Sequence, residues 1–170
     1  MAMIIKDHNG NELVELIAVD ENSAMEGYYP VTHCLLVVMA GNDYLLGWNK
    51  WRQDWEIFGG CLNKGETMRE CIARECMEEI GISNVNFDYI GLMHFNMMPD
   101  YFSTERRKEY GGLYGIQLQT DDLQNIEKYR LDRDEIGKIA FLKDIDQKDK
   151  ISEIDRELLN YYDGKSRKFI

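Results

Sequence analysis

The stretch Gly59–Ile82, "GGCLNKGETMRECIARECMEEIGI", opens on two glycines and carries five glutamates: Glu66, Glu70, Glu75, Glu78 and Glu79. Its spacing predicts a helix over Thr67–Ile80, stopped by Gly81. Successive helical residues turn by about 100°, so Glu75, Glu78 and Glu79 fall within an arc of roughly 100°. Ile72, Ala73, Cys76, Met77 and Ile80 take the neighbouring arc and are expected to pack inward. Glu70 points about 80° away from Glu78 and is expected to be solvated. Like charges three and four residues apart repel by a few tenths of a kcal/mol per pair, and no lysine relieves them here. Two explanations compete. One is a solvated acidic face; the other is a set of carboxylates converging on a hard cation, Mg²⁺ or Mn²⁺.

The flanks favour the cation. Gly59-Gly60 is expected in a loop, where the missing Cβ allows a tight turn and lets a backbone carbonyl face a metal. Gly65-Glu66 leads into the helix, and the Arg74 guanidinium can orient a carboxylate through two parallel hydrogen bonds.

Outward from this segment, "MIIKDHNGNELVELIAV" is expected to form two strands around an Asn9-Gly10 turn, a hairpin within residues 1–20. "VTHCLLVVMAGNDYLLGW" is expected to form a buried strand, a turn at Gly41-Asn42-Asp43 and a second strand. Further strands are expected near Asn86–Phe95, Gly112–Gln119 and Gly137–Leu142. An amphipathic helix is expected over Lys150–Tyr162, with Ile151, Ile154, Leu158, Leu159 and Tyr162 on one face. Strands and helices mix without regular βαβ alternation, which implies an α+β fold or a mixed-sheet α/β sandwich.

The 170 residues suit one domain with one sizeable core, and no linker or repeat divides them. A net charge of −11 argues against a nucleic-acid polymer as partner, because phosphate backbones are bound by clustered Lys and Arg. It leaves room for a small phosphorylated ligand whose charge a divalent cation offsets. No apolar run is long enough to span a membrane, and the N-terminal residues lack a secretory pattern. Cys34, Cys61, Cys71 and Cys76 show no C-x-x-C spacing, which fits reduced thiols and a cytoplasmic location.

Counted from Gly60, the segment reads Gly-x5-Glu-x7-Arg-Glu-U-x-Glu-Glu-x-Gly-U, with U apolar. Gly60, Glu66, Arg74, Glu75, Glu78, Glu79 and Gly81 meet every specified position, and Cys76 and Ile82 fill the U positions. This pattern, Gly60–Ile82, resembles the box of the Nudix hydrolase family, the MutT-like pyrophosphohydrolases. The strands on either side fit that family's layout over most of the chain. One departure is Phe58, where many relatives place proline before the two glycines.

The resemblance implies an α/β/α sandwich with a mixed sheet and a loop–helix–loop catalytic box. It implies Mg²⁺- or Mn²⁺-dependent hydrolysis of a diphosphate linkage in a nucleoside diphosphate joined to another group. Glu75, Glu78 and Glu79 match the metal-binding carboxylates, and Gly59 matches a position whose carbonyl joins them. Glu66 and Arg74 match positions that support those ligands. The general base is either a box glutamate or a later loop glutamate; Glu135 in "DRDEIGKIAF", six residues before Phe141, resembles the latter. The alternative for Glu135 is an exposed carboxylate beside Asp132 and Asp134.

For substrate recognition the candidates are Trp48, Trp51 and Arg52, with Lys50 beside them. An aromatic ring stacked on a base contributes ~1–3 kcal/mol. Trp55 and Phe58 are expected in the core. Arg106, Arg107 and Lys108 are read mainly as a solvated loop, His33 and His94 mainly as packing residues, and Met93, Met97 and Met98 as apolar filling. The substrate class is a nucleoside triphosphate, oxidised or not, or a nucleotide sugar, and a homodimer remains open. The rivals are a non-catalytic nucleotide-binding or sensor domain, which would be expected to lose box carboxylates, and an isopentenyl-diphosphate-isomerase-like enzyme. The second needs a placed cysteine, for which Cys61 is the candidate, and grouped histidines; the three present are scattered.

Overall fold

The computed structural model describes residues 2–119 and 123–166. A first hairpin joins β1 (Ala2–Lys6) and β2 (Glu12–Ile17), and its turn closes where the Gly10 N–H donates to the Asp7 carbonyl at 3.0 Å. A short helix α1 (Glu21–Gly27) follows, capped by the Asp20 carboxylate. Then come β3 (Val31–Ala40), β4 (Asp43–Asn49), β5 (Asp54–Glu56) and β6 (Phe58–Cys61). The helix α2 (Met68–Ile80) precedes the long strands β7 (Asp88–Met97) and β8 (Arg107–Leu118). The chain ends its described part with α3 (Leu123–Tyr129), β9 (Ile136–Phe141) and α4 (Glu153–Ser166).

The strands form one mixed sheet in the order β1-β2-β7-β8-β3-β4-β5, with β6 paired to β3 and β9 to β4. The β3–β8 pair is parallel and the other pairs are antiparallel. Alternation along β3 divides the core between the two faces. Cys34, Leu36 and Val38 pack with Met68, Cys71, Ile72, Cys76 and Ile80 of α2. Val37 faces the opposite side, with Trp55, Ile57, Met93 and Leu113 beneath Ile154, Leu158 and Leu159 of α4. Helices therefore cover both faces of a mixed sheet, in agreement with the expected fold class. No helix among the described residues is long and apolar enough to cross a membrane.

Several local expectations change. Gly59-Gly60 lies in β6 rather than a loop, with Gly59 opposite Leu35 and Gly60 opposite Cys34. Glycine is depleted in strands for want of a side chain to pack, so pairing with β3 makes this strand, not propensity. Ala73 and Met77 are exposed, so the packed stripe of α2 is narrower than the wheel implies. Helix α4 starts at Glu153, and Ile151 instead bridges Trp55. The short α1, α3 and β5 have no counterpart among the expected elements; α1 buries Ala24 alone, which leaves no apolar period to detect.

Candidate active site

Three local devices build the site. The first is a capping box: the Glu70 N–H reaches Thr67 Oγ1 at 3.1 Å, and the Thr67 N–H reaches Glu70 Oε2 at 3.0 Å. It fixes where α2 starts and hence the rotation of its glutamates. Glu70 is exposed, as expected, but not idle.

The second is close packing of β6 against β3 and α2. Gly59 has φ +135°, and a Cβ there would collide with the Cys34 carbonyl oxygen. A Cβ on Gly60 would run into the Glu75 carboxylate. The two glycines thus bring bare backbone against the helix, and the Gly59 N–H donates to Glu79 Oε2 at 2.8 Å.

The third is Arg74. Its Nε and Nη2 donate to the two oxygens of Glu66 at 2.8 and 2.9 Å, its Nη1 to Glu75 Oε1 at 2.7 Å, and its Nη2 also to the Cys61 carbonyl at 2.9 Å. The Glu66 carboxylate also accepts the Asn63 N–H at 2.8 Å. Arg74 holds the Glu66 carboxyl down to about 2, and the Arg74 guanidinium is itself raised, first by its bond to Glu66. Glu78 is half-exposed, and its carboxylate lies 3.4 Å from Arg74 Nη1.

Glu79 sits in a different setting. It is 2% exposed, and burial pushes its carboxyl well above the ordinary range, with Glu75, Glu135 and Asp132 adding repulsion and the Gly59 N–H opposing it. Among the described residues, one group of three carboxyls can supply oxygens all within 4.8 Å of one another: Glu79, Asp132 and Glu135. Glu135, half-buried, accepts from Asn49 Nδ2 at 3.2 Å, and burial raises it too. Burial likewise raises Glu75, against the pull of Arg74. Oxygen-only donors crowded without enough positive charge are the chemistry a hard divalent cation suits.

The structure therefore brings Glu135 beside Glu79, and turns Glu78 and Glu75 toward Arg74. Asp132 joins the cluster unannounced by any motif; its one sequence signal is a position three residues before Glu135 in an acidic loop. Around the expected substrate residues, Trp51 is 71% exposed. Trp48 is half-buried, edge-on to Trp55 with centroids 5.5 Å apart. Arg52 Nη1 is engaged by both oxygens of Glu56 at 2.7 Å. Behind that pair lie the buried carboxyls of Asp54 and Asp155, both raised by burial. Lys50 Nζ donates to the Arg133 carbonyl at 3.2 Å. Arg107 is bound by Asp100 and Glu109, while Arg106 and Lys108 are exposed. His33 Nδ1 meets Thr32 Oγ1 at 2.9 Å, and burial lowers the ring to about 4, keeping it neutral. His94 has Nδ1 3.5 Å from Glu15, and its Nε2 is buried with no hydrogen-bond partner among the described residues.

Against known proteins, the family model described as NUDIX domain matches residues 29–161. The NAD-capped RNA hydrolase NudC of Vibrio vulnificus (strain CMCP6) is 27% identical over 107 residues, 56% of this chain and 41% of that protein. The chain thus matches less than half the length of that relative. Among solved structures, the Bacillus subtilis pyrophosphohydrolase BsRppH superposes with a TM-score of 0.64 at 17% identity, over 89% of this chain and 87% of that one. The NUDIX domain of Shewanella oneidensis NrtR, complexed with ADP-ribose, gives 0.61 at 11% identity, over 86% and 99%. At these identities the structural likeness shows a shared fold.

Proposed function

Because this chain belongs to the Nudix domain family, whose model spans residues 29–161, we propose that it is a metal-dependent pyrophosphohydrolase acting on a small nucleotide-type substrate. The observation that carries the proposal is the oxygen cluster of Glu79, Asp132 and Glu135 beside the Arg74-bound Glu75. Glu75, Glu78, Glu79 and Glu135, with the Gly59 carbonyl, are the groups that would hold Mg²⁺ or Mn²⁺. When bound, such a cation supplies positive charge against the diphosphate and polarises phosphorus.

The chain's own groups do the rest. Arg74 keeps Glu66 and Glu75 fixed, so the carboxylates do not need to reorganise during reaction. Glu135, half-buried beside Glu79 and held by Asn49, is the acceptor assigned here to the proton of an attacking water. That water's oxygen forms the new bond to phosphorus, and the bridging oxygen leaves with the electron pair of the broken P–O bond. Trp51, exposed, is the aromatic assigned here to stack a base, Trp48 stands on β4 just before the turn that carries Trp51, and Arg52 exchanges its Glu56 contact for a phosphate.

Charge and the relatives' names support this substrate class. A net charge of −11 disfavours a polymeric backbone. The NAD cap on the RNA named with one relative and the ADP-ribose named with another each carry a diphosphate bridge. A nucleoside triphosphate or a nucleotide sugar offers the same bond. The test is a hydrolysis screen with Mg²⁺ and with Mn²⁺ over nucleoside triphosphates, sugar nucleotides, dinucleoside polyphosphates and coenzymes, read by chromatography of the products. Cleavage of a diphosphate bond in at least one class is expected. Binding without cleavage in every class would replace the enzyme with a nucleotide-binding domain.

A further inference from the structure

Arg130 is 4% exposed, while the next residue, Leu131, is 66% exposed. This reverses the usual order, in which charged side chains are almost never fully buried unless paired. The guanidinium serves the loop that wraps it. Nη1 donates to the carbonyls of Asp132 at 2.7 Å and Ile136 at 2.6 Å, Nη2 to that of Gly137 at 3.0 Å, and Nε to Glu127 Oε2 at 3.0 Å. A rigid fork of five N–H donors suits three carbonyls and a carboxylate in a way that no other side chain does.

The same loop is tied to α2 from outside. The N–H groups of Leu131 and Asp132 both donate to the Glu78 carbonyl, at 2.8 and 2.7 Å, and the Lys50 N–H donates to the Glu135 carbonyl at 2.9 Å. Gly81 ends α2 with φ +69°, and a Cβ there would lie 2.5 Å from the Tyr129 carbonyl carbon and 2.7 Å from the Arg130 nitrogen. The last glycine of the box therefore does more than end the helix: it admits the Arg130 loop to the helix end. The loop then delivers Asp132 and Glu135 to within 4.8 Å of Glu79.

We infer that Arg130 is a positioning residue that shapes this loop around its guanidinium, and that Asp132 is a further oxygen ligand of the cation site. The inference rests on the metal-dependent reading above. An apolar residue could fill the volume of Arg130, but it would leave three carbonyls without these donors, and the loop would take another path.

The test is Mn²⁺ binding to the full chain, followed by titration calorimetry and by the spin-resonance signal of free Mn²⁺, with folding checked by near-UV circular dichroism. Asp132→Asn is expected to weaken Mn²⁺ by about tenfold or more. Arg130→Lys, whose single head cannot span three carbonyls, is expected to weaken it comparably. The double variant should be no weaker than the worse single one, because Arg130 acts through the loop carboxylates. Unchanged affinity in Asp132→Asn overturns the ligand assignment, and unchanged affinity or full additivity in a folded Arg130→Lys overturns the positioning role. Should Arg130→Lys fail to fold, Glu127→Ala, which removes the guanidinium's half-exposed carboxylate partner, gives the same reading: weaker Mn²⁺ supports the role and unchanged affinity overturns it. No Mn²⁺ binding by the unaltered chain sinks the metal reading itself, whereas binding indifferent to all these variants sinks this inference alone.

Discussion

Arg74 and Glu79 lie five residues apart on α2, yet they sit in different electrostatic surroundings. Around Arg74 one cation serves several carboxyls: two oxygens of Glu66 and one of Glu75 meet its N–H groups within 2.9 Å, and the Glu66 carboxyl is held down to about 2. Around Glu79 no cation is a hydrogen-bond partner among the described residues, and the charges of Glu75, Glu135 and Asp132 all repel its own. Two like charges ~5 Å apart repel by roughly 3 kcal/mol at an effective dielectric near 20. That is about ten times what a solvated helix face tolerates per pair. One side of the helix has a cation of its own at its centre; the other, around Glu79, keeps an unmet demand for positive charge.

The largest way to break this contrast is Glu79→Gln. The amide keeps the size and can still accept the Gly59 N–H, so the fold should survive. Turnover should fall by more than the ~10–100-fold that losing an outer supporting contact costs. Steady-state kcat under saturating Mg²⁺ checks it, and an unchanged kcat would remove Glu79 from the chemistry. Glu135→Gln measured alongside separates the two base assignments: a loss confined to Glu79→Gln would place the base within the box.

Arg74→Met removes the cation from the other side. It leaves the buried Glu75 and the half-buried Glu66 without their shared donor, and should cost about 2–4 kcal/mol of stability, the range for charged partners left unpaired. Urea unfolding of the metal-free protein reads it directly. The contrast sharpens if Glu79→Gln, by the same measurement, leaves stability unchanged or raised.

The contrast also explains how much of the site the sequence disclosed. The box marks the helix and its carboxylates because their spacing follows one local period, and Thr67 and Gly81 punctuate it at the places where caps belong. It does not distinguish Glu75 from Glu79, since the difference lies in what faces them: Arg74 on the same helix in one case, a loop some fifty residues away in the other. Asp132 carries no local signal, because its role depends on where the loop's backbone is anchored. Arg130 runs against the pattern by which burial is inferred, since a cation beside Leu131 reads as the exposed one of the pair. Likewise Asp54, Glu56 and Asp155 are buried acids, and only the fold brings Asp155 of α4 to accept the Ile57 N–H at 3.0 Å.

Acidity separates Glu66 from the other three carboxyls by sign. Glu79, Glu75 and Glu135 are raised by burial, so they hold protons more tightly folded than unfolded. The stability this gives is full below the ordinary carboxyl value and is lost as pH rises through their folded values. Glu66 does the reverse: its contribution is present above 4.5 and is lost as pH falls toward about 2. The metal-free protein should therefore lose melting temperature as pH is raised from about 4.5 toward neutrality, by a few degrees where each ~1 kcal/mol moves Tm by roughly 2–4 °C. Saturating Mn²⁺ should abolish that decline, because it binds the ionised carboxylates and only in the folded chain. Scanning calorimetry across pH with and without Mn²⁺ tests it, and parallel curves would show that the cluster does not take the ion.

The smallest effect belongs to the glutamate outside both settings. Glu70 accepts the Thr67 N–H in the capping box and is exposed, so its charge meets neither Arg74 nor Glu79 in any hydrogen bond of the described residues. Glu70→Ala should cost about 0.5–1 kcal/mol, the worth of a helix cap, and leave kcat and Mn²⁺ affinity as they are. If it lowered kcat instead, α2 would be turning about its axis when its start is loosened. The rotation that separates Arg74's carboxylates from Glu79's would then be set at the cap rather than by the burial of Ile72, Cys76 and Ile80.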